Sequence, residues 1–335
     1  MKTHLSTLLI CIITSTQLLQ AQSPKLRILD SAKGVNLRGL SASSESEIWA
    51  SGSNGAIAHS TDGGTTWKWQ TVKGQEQRDF RDIQALGPHS AVTIGVDTPA
   101  IILRTANDGK SWQKVYENNQ AGMFLDALDF KDSLHGVVLG DPIDGQIFTA
   151  YTTDGGFNWQ QRKAPFKQSP DEGEAFFAAS GTNILLTNDG QVQIISGGTR
   201  SRFWKEGQDI APLPLQAGKT YTGPNGMAQK NQTIAVVGGD FSQPFIGDSA
   251  FAISQDGGRS WEAQNTLPGY GSGVAIITDS TLVACGLTGV WISYNQGRSW
   301  ITIDKRPFNT LLYIPQTGKL FLAGPQGRIA VIEGL

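Results

Sequence analysis

Arg38, Arg81, Asp126, Glu174, Asn225, Ser272 and Asn309 each stand just before small and apolar residues, as in Arg38-Gly-Leu and Asp126-Ala-Leu. Two neighbouring guanidinium groups can grip a carboxylate or phosphate through charge-assisted hydrogen bonds. Two neighbouring carboxyl groups are instead the equipment of acid/base glycoside chemistry, whose stereochemical outcome depends on their separation. Asp97, Asp141, Asp144 and Asp240 add carboxylates from turns, and Arg104 adds a further cation. Residues this far apart in the chain act together only if a repeated element returns each of them to one face.

Such a repeat is present. Ser60–Trp67 reads STDGGTTW, and the pattern returns as TANDGKSW (Thr105–Trp112), TTDGGFNW (Thr152–Trp159), SQDGGRSW (Ser254–Trp261) and SYNQGRSW (Ser293–Trp300). Asp or Asn in a tight turn bonds backbone N–H groups two residues on, and Gly supplies the positive φ that closes a hairpin. The Trp three residues after the Gly then packs between neighbouring sheets. The five tryptophans are 45, 47, 102 and 39 residues apart, and Ser196–Trp204, SGGTRSRFW, reads as a degenerate copy dividing the long step. This period is that of one four-stranded propeller blade.

Short alternating strands precede each copy. In the first unit they are expected at Leu37–Ala42, Glu47–Gly52 and Ala56–His59, with Lys68–Val72 after the turn. Helical periodicity is absent. Units are expected at Asn36–Val72, Asp79–Val115, Gly122–Arg162, Glu174–Glu206, Pro224–Gln264, Gly271–Ile303 and Phe308–Leu335. The last has three strands, and Lys25–Asp30 is expected to complete it, closing the ring and removing exposed edges. The expected fold is therefore all-β, a single seven-bladed propeller over residues 22–335.

The composition excludes several classes. A net charge of −2 with 17% charged residues gives no basic face for nucleic acid. Met1 to Ala21 has Lys2, an apolar run from Leu5 to Ile13 and a cleavage site after Ala21, the pattern of a secretory signal peptide; no transmembrane segment is expected after its removal. The chain is thus expected to be exported, periplasmic or secreted, and monomeric. Without Cys11, Cys285 is the sole cysteine, in the apolar stretch LVACGL, where a buried inert thiol is expected. His59, His89 and His135 fall in different blades, so no metal site is expected, and no cofactor; Asp141, Asp144 and Asp240 read as turn caps rather than calcium ligands.

The repeated box resembles the Asp-box, or BNR repeat, of sialidases and sortilin-type receptors. The seven-unit, signal-bearing layout from Lys25 to the end resembles the photosystem II stability and assembly factor family. That resemblance implies an assembly or stability scaffold for an envelope protein. Asp-boxes themselves are structural turns remote from active sites, so the box marks the fold and not the function.

In an up-and-down blade the innermost strand starts on the face opposite the boxes. The candidate ligand-binding residues there are Arg38, Arg81, Asp126, Glu174, Asn225, Ser272 and Asn309, with Asp97, Asp141 and Asp240 from turns. Two readings stand side by side. In one, a polar mouth with a basic and an acidic half captures a peptide, a protein partner or a glycan; in the other, the groups satisfy one another around a central channel. No catalytic residue is assigned. A sialidase-like or other glycosidase reading could use Arg38, Arg81, Glu174 and Tyr270, or Asp126 with Glu174, but the Arg-Ile-Pro signature and a third strand-start arginine are missing. A sugar-binding lectin is the third alternative.

Overall fold

A computed structural model describes residues 24–264 and 266–335. The signal peptide expected over residues 1–21 lies outside the described residues. Seven antiparallel sheets follow one another as blades. Blade 1 runs from its inner strand Leu37–Ala42 through Ile48–Gly52 and Ala56–Ser60 to Lys68–Thr71 at the rim. Blades 2 and 3 have inner strands Phe80–Gly87 and Leu125–Phe130, and blades 5, 6 and 7 have Thr222–Lys230, Gly273–Ile276 and Thr310–Ile314. Lys25–Asp30 pairs antiparallel with Arg328–Glu333 as the outer strand of blade 7, so the two ends of the chain share one sheet. No helix of the described residues is long and apolar enough to cross a membrane.

The core is divided among the seams between blades. Leu37, Ile48 and Ala58 of blade 1 pack on Phe321 and Val331 of blade 7, and Trp49 and Ile57 on the other side of blade 1 pack on Phe80, Ile83 and Leu103 of blade 2. The second and third strands, such as Ile48–Gly52 and Ala56–Ser60, are buried on both faces, which is why they read as apolar runs, whereas outer strands such as Gln160–Lys163 are exposed. Burying one Leu, Ile or Phe contributes about 1.5–3 kcal/mol, so each seam outweighs any single polar contact along it.

The boxes lock these seams from outside. Ser60 Oγ accepts from Gly64 N at 2.9 Å and donates to Asp62 Oδ1 at 2.9 Å, while Asp62 Oδ1 accepts from Thr66 N at 2.8 Å and Trp67 Nε1 donates to Gly64 O at 3.2 Å. The same set recurs around Asp154 and Asp256. The last glycine of the box meets the previous blade: Gly258 has φ +89, and a Cβ there would strike the Phe203 ring of blade 4.

Blade 4 departs from expectation. Gly197 and Gly198 end its second strand, Val192–Gly198, and Trp204 lies inside its third, Arg202–Lys205, so SGGTRSRFW is not a box copy. It is the hairpin at the opposite end of the blade. Trp204 is fully buried, and its Nε1 donates to Ser196 Oγ at 2.7 Å. The stretch kept glycines and an indole but lacked the hydroxyl–carboxylate pair that builds the box turn.

Gly258→Ala is expected to destabilise the protein by about 1–3 kcal/mol, because it combines a left-handed backbone with a clash against a filled seam. Urea denaturation of the variant against wild type reads this directly, and a loss below a few tenths would show that the boxes do not lock the seams.

Candidate functional site

The inner strands of blades 1, 2, 3 and 5 each begin with a β-bulge. The register shifts between Leu37 and Gly39, Phe80 and Asp82, Leu125 and Ala127, and Pro224 and Gly226, leaving Arg38, Arg81, Asp126 and Asn225 as the extra residues. A bulge re-aims the inserted side chain. In blades 6 and 7, Ser272 N and Asn309 N donate to Cys285 O and Ala323 O, the residues that Gly273 and Thr310 oppose in the ladder.

Blade 4 is again different, and its difference forms the floor of the site. Its inner strand is split into Glu174–Ala175 and Ile184–Leu186, both pairing with the second strand. The residues between them cross the axis. Ala178 O accepts from Arg81 Nη1 of blade 2 at 3.1 Å, Ser180 O from Thr310 Oγ1 of blade 7 at 3.0 Å, and Thr182 O from Met227 N of blade 5 at 2.9 Å. Phe176 N donates to Asp141 Oδ1 of blade 3 at 2.9 Å, and Gly181 lies so close to Asp82 that a Cβ would strike its carboxylate. Residues 176–183 therefore plug the channel. Sequence reasoning missed the plug; its signal was the small run Ala178-Ala179-Ser180-Gly181, where the other units have an uninterrupted strand.

Above the plug is a cavity of about 490 Å³. Six of the ten residues expected at the mouth line it: Arg38, Arg81, Asp141, Asn225, Ser272 and Asn309. Phe177 and Ala178 of the plug, Phe124, Phe241, Tyr270 and Leu287 supply apolar surface. Met123 is buried in the seam between blades 2 and 3, whereas its neighbour Phe124 reaches the cavity.

Several lining groups are already satisfied. Asn309 Nδ2 donates to Asn36 Oδ1 and Leu37 O, both at 2.7 Å, joining blade 7 to blade 1. Ser272 Oγ donates to Phe308 O at 3.1 Å, and Asn225 Oδ1 accepts from the buried Tyr270 hydroxyl at 2.7 Å. These three are stitches between neighbouring blades.

The two arginines differ. Arg81 Nε donates to Asp79 Oδ2 at 2.6 Å, and its guanidinium lies 5.9 Å from the Phe124 ring centre. Arg38 forms no hydrogen bond or ion pair among the described residues, and its Nε is buried without a partner. Burial, and then the neighbouring Arg81 charge, lower its pKa. Facing them, burial holds the Asp141 carboxyl up at about 6, partly opposed by the Phe176 N–H. Asp126 lies beneath, fully buried, with both oxygens unpartnered; burial and the nearby Asp141 raise its pKa well above the usual range. At neutral pH the two guanidinium groups are opposed by Asp79, paired with Arg81, and by Asp141; a positive excess arises as Asp141 takes up a proton on acidification through about pH 6.

Glu174, Asp240 and Asp97 do not line the cavity. Glu174 is sealed by Arg202 and Ser196, with Asp171 N donating at 2.9 Å. Asp240 caps its own turn through Ser242 and Gln243, and Asp97 lines a separate dent beside Arg78. A glycosidase built on Asp126 with Glu174 is thereby not formed, because neither carboxyl opens to the cavity. The lone thiol, Cys285, is buried, and burial pushes it up to about 12.

The sequence model described as the photosynthesis system II assembly factor YCF48 matches residues 20–123. The probable oligoxyloglucan-reducing end-specific xyloglucanase of Neosartorya fischeri is 25% identical over 292 residues, 73% of this chain and 34% of that protein, so the chain spans about a third of that relative's length. Among solved structures, YCF48 bound to D1 peptide superposes with a TM-score of 0.65 at 18% identity, covering 92% of this chain and 96% of that one. YCF48 from Cyanidioschyzon merolae gives 0.68 at 15% identity, covering 92% and 99%, and the WD40 propeller domain of Doa1 gives 0.59 at 13%, covering 93% and 97%. The chain is a seven-bladed Asp-box propeller that resembles the photosystem II assembly factor YCF48 in sequence over its first blades and in fold throughout.

Proposed function

We propose that this protein is a non-catalytic assembly or stability factor of the cell envelope that acts as an exported monomer and captures an acidic peptide segment of a partner protein in the plugged mouth of the propeller. The observation that carries the reading is Arg38, a cation in the cavity that forms no hydrogen bond or ion pair among the described residues, the nearby Asp79 carboxylate being bonded to Arg81 instead. A buried charge is costly unless paired, so its retention is accounted for by a partner that arrives with the missing negative charge. Arg81, half engaged with Asp79, supplies a second donor fork beside it. The aromatic wall gives the peptide an apolar anchor: Phe241 makes edge contacts with Phe177, Tyr221 and Tyr270 at 6.2, 6.0 and 6.4 Å and is itself exposed. The peptide recorded with YCF48 in a structure of the same fold supports a peptide as the class of ligand. The resemblance to the xyloglucanase supports a glycan reading less, because Asp141 is the one carboxylate lining the cavity among the described residues.

Three outcomes are expected. Arg38→Met weakens binding of acidic peptides about 30-fold or more and stabilises the free protein by about 1–2 kcal/mol, read by fluorescence anisotropy and thermal melting. A variant that loses stability instead would assign Arg38 to the channel's own network. Cross-linked capture from native envelope extract is expected to recover a discrete partner with wild type and to lose it with Arg81→Glu at matched thermal stability; equal capture by both forms would refute the site. Finally, lowering the pH through about 6 neutralises Asp141 while peptide carboxylates, with pKa values near ~4, stay charged. Affinity for an acidic peptide therefore rises on acidification, and Asp141→Asn removes that rise while tightening binding about fivefold at neutral pH.

A further inference from the structure

On the box face, far from the cavity, blades 1 and 2 bring together Glu47, His59, His89 and Asp108. Glu47, His59 and Asp108 each place a ligand atom within 4.8 Å of the others. His59 Nε2 lies 2.7 Å from Glu47 Oε1, His89 Nδ1 lies 2.6 Å from Asp108 Oδ1, and His89 N donates to Glu47 Oε1 at 3.4 Å. The ring of His59 is buried and stacked on Trp49, 3.6 Å between centres, which fixes its plane. Asp108 is half-buried, and His89 stands at the solvent edge.

The box turn does not require a carboxylate at Asp108: the equivalent residue of the blade 6 box is Gln296, at φ +59. In the boxes of blades 1, 3 and 5 the residue at the position of Asp108 is Gly63, Gly155 or Gly257, with φ between +68 and +73. Asp108 takes φ +63 there, although the turn is already capped by Asn107, whose Oδ1 accepts from Ser111 N at 3.0 Å. His89 also has a left-handed backbone, φ +66. Both residues thus occupy left-handed turn positions, which Asp and His tolerate better than most side chains, and those turns bring their side chains together at the seam. Two imidazoles and two carboxylates suit zinc and similar divalent ions, which ask for three or four such ligands at about 2.0–2.2 Å.

We propose that Glu47, His59 and Asp108, with His89 as the fourth ligand, bind one divalent transition-metal ion, and that this ion clamps blade 1 to blade 2. Each carboxylate now lies against an imidazole nitrogen; on metal entry that nitrogen offers its lone pair to the ion, its hydrogen passing to the other ring nitrogen of a neutral imidazole or, from an imidazolium, to solvent. To surround an ion the hydrogen-bonded pairs must open, the trio must close from its present spread of up to 4.8 Å, and His89, which lies outside that trio, must turn inward. The competing cation is Lys110, whose Nζ lies 3.7 Å from Asp108 Oδ2 on a side chain free to swing outward.

The test uses the full mature chain stripped with a chelator and titrated with zinc sulfate alone, followed by calorimetry and thermal melting, and by cobalt absorption for tetrahedral coordination. Uptake of one equivalent with a rise in melting temperature is expected. Asp108→Gly restores the residue found in three other boxes, so the metal-free variant melts no lower than wild type, yet its zinc affinity falls about tenfold or more. His89→Asn, which tolerates the left-handed backbone, falls in the same direction. Absence of one-equivalent uptake, or uptake that both variants leave unchanged, overturns the proposal and leaves two ordinary His–carboxylate pairs closing the seam.

Discussion

A ring of seven sheets leaves a channel on its axis, and every polar group facing that channel needs a partner. This requirement governs the inner strands. Ser41 Oγ accepts from Ala85 N of the next blade at 3.1 Å, Asp82 Oδ2 from Leu128 N at 2.9 Å, and Asp129 Oδ2 from Leu186 N at 2.6 Å. Each is a side chain from one inner strand bonding the backbone of its neighbour. Burial raises the carboxyls of Asp82 and Asp129, the latter to about 7. Their proton-bound forms are favoured in the folded state, so this contribution to stability is present at low pH and fades as pH rises through the folded pKa.

The plug of blade 4 follows from the same requirement. A hollow axis would leave Thr310 Oγ1 and Met227 N to find water; residues 176–183 offer them carbonyls from inside the protein. Only small residues fit where the seven inner strands converge, which accounts for the Ala-Ala-Ser-Gly run. The plug also turns a through-channel into a cavity with a floor. Its carbonyl at Ala178 takes one of the Arg81 hydrogens and thereby fixes the direction of that guanidinium.

The architecture was legible because its signals are local. Lys25–Asp30, Leu37–Ala42, Thr310–Ile314 and Arg328–Glu333 fall where alternation and turn residues place them, and the closing strand followed from a last unit with three strands. The mouth was legible through the repeat: a position occupied by Arg38 in one blade and Arg81 in the next is one position in space. Partners were not legible, since Asp79 beside Arg81 and Arg202 over Glu174 are chosen by packing between segments that share no pattern. The histidines illustrate the same gap. His59 and His89 looked scattered because they occupy different strands of different blades, yet a third strand in blade 1 and a hairpin tip in blade 2 end at the same edge of one seam.

Satisfaction of the axis also separates structure from function within the mouth. Asn225, Ser272 and Asn309 have their bonds inside the protein, and replacing any of them would first disturb a stitch between blades. Arg38 occupies the equivalent bulge in blade 1 and stitches nothing. A position that in blades 5, 6 and 7 takes an uncharged, bonded side chain here holds a guanidinium next to a second one, with an unpartnered Nε. Selection for stability alone removes such a group, since an apolar side chain of similar volume avoids both the desolvation and the repulsion from Arg81. Asp126, fully buried with both oxygens unpartnered, also departs from the rule that governs the axis but does not line the cavity; Arg38 is the departure that opens to it, which is why the proposed anion from another molecule is assigned to Arg38.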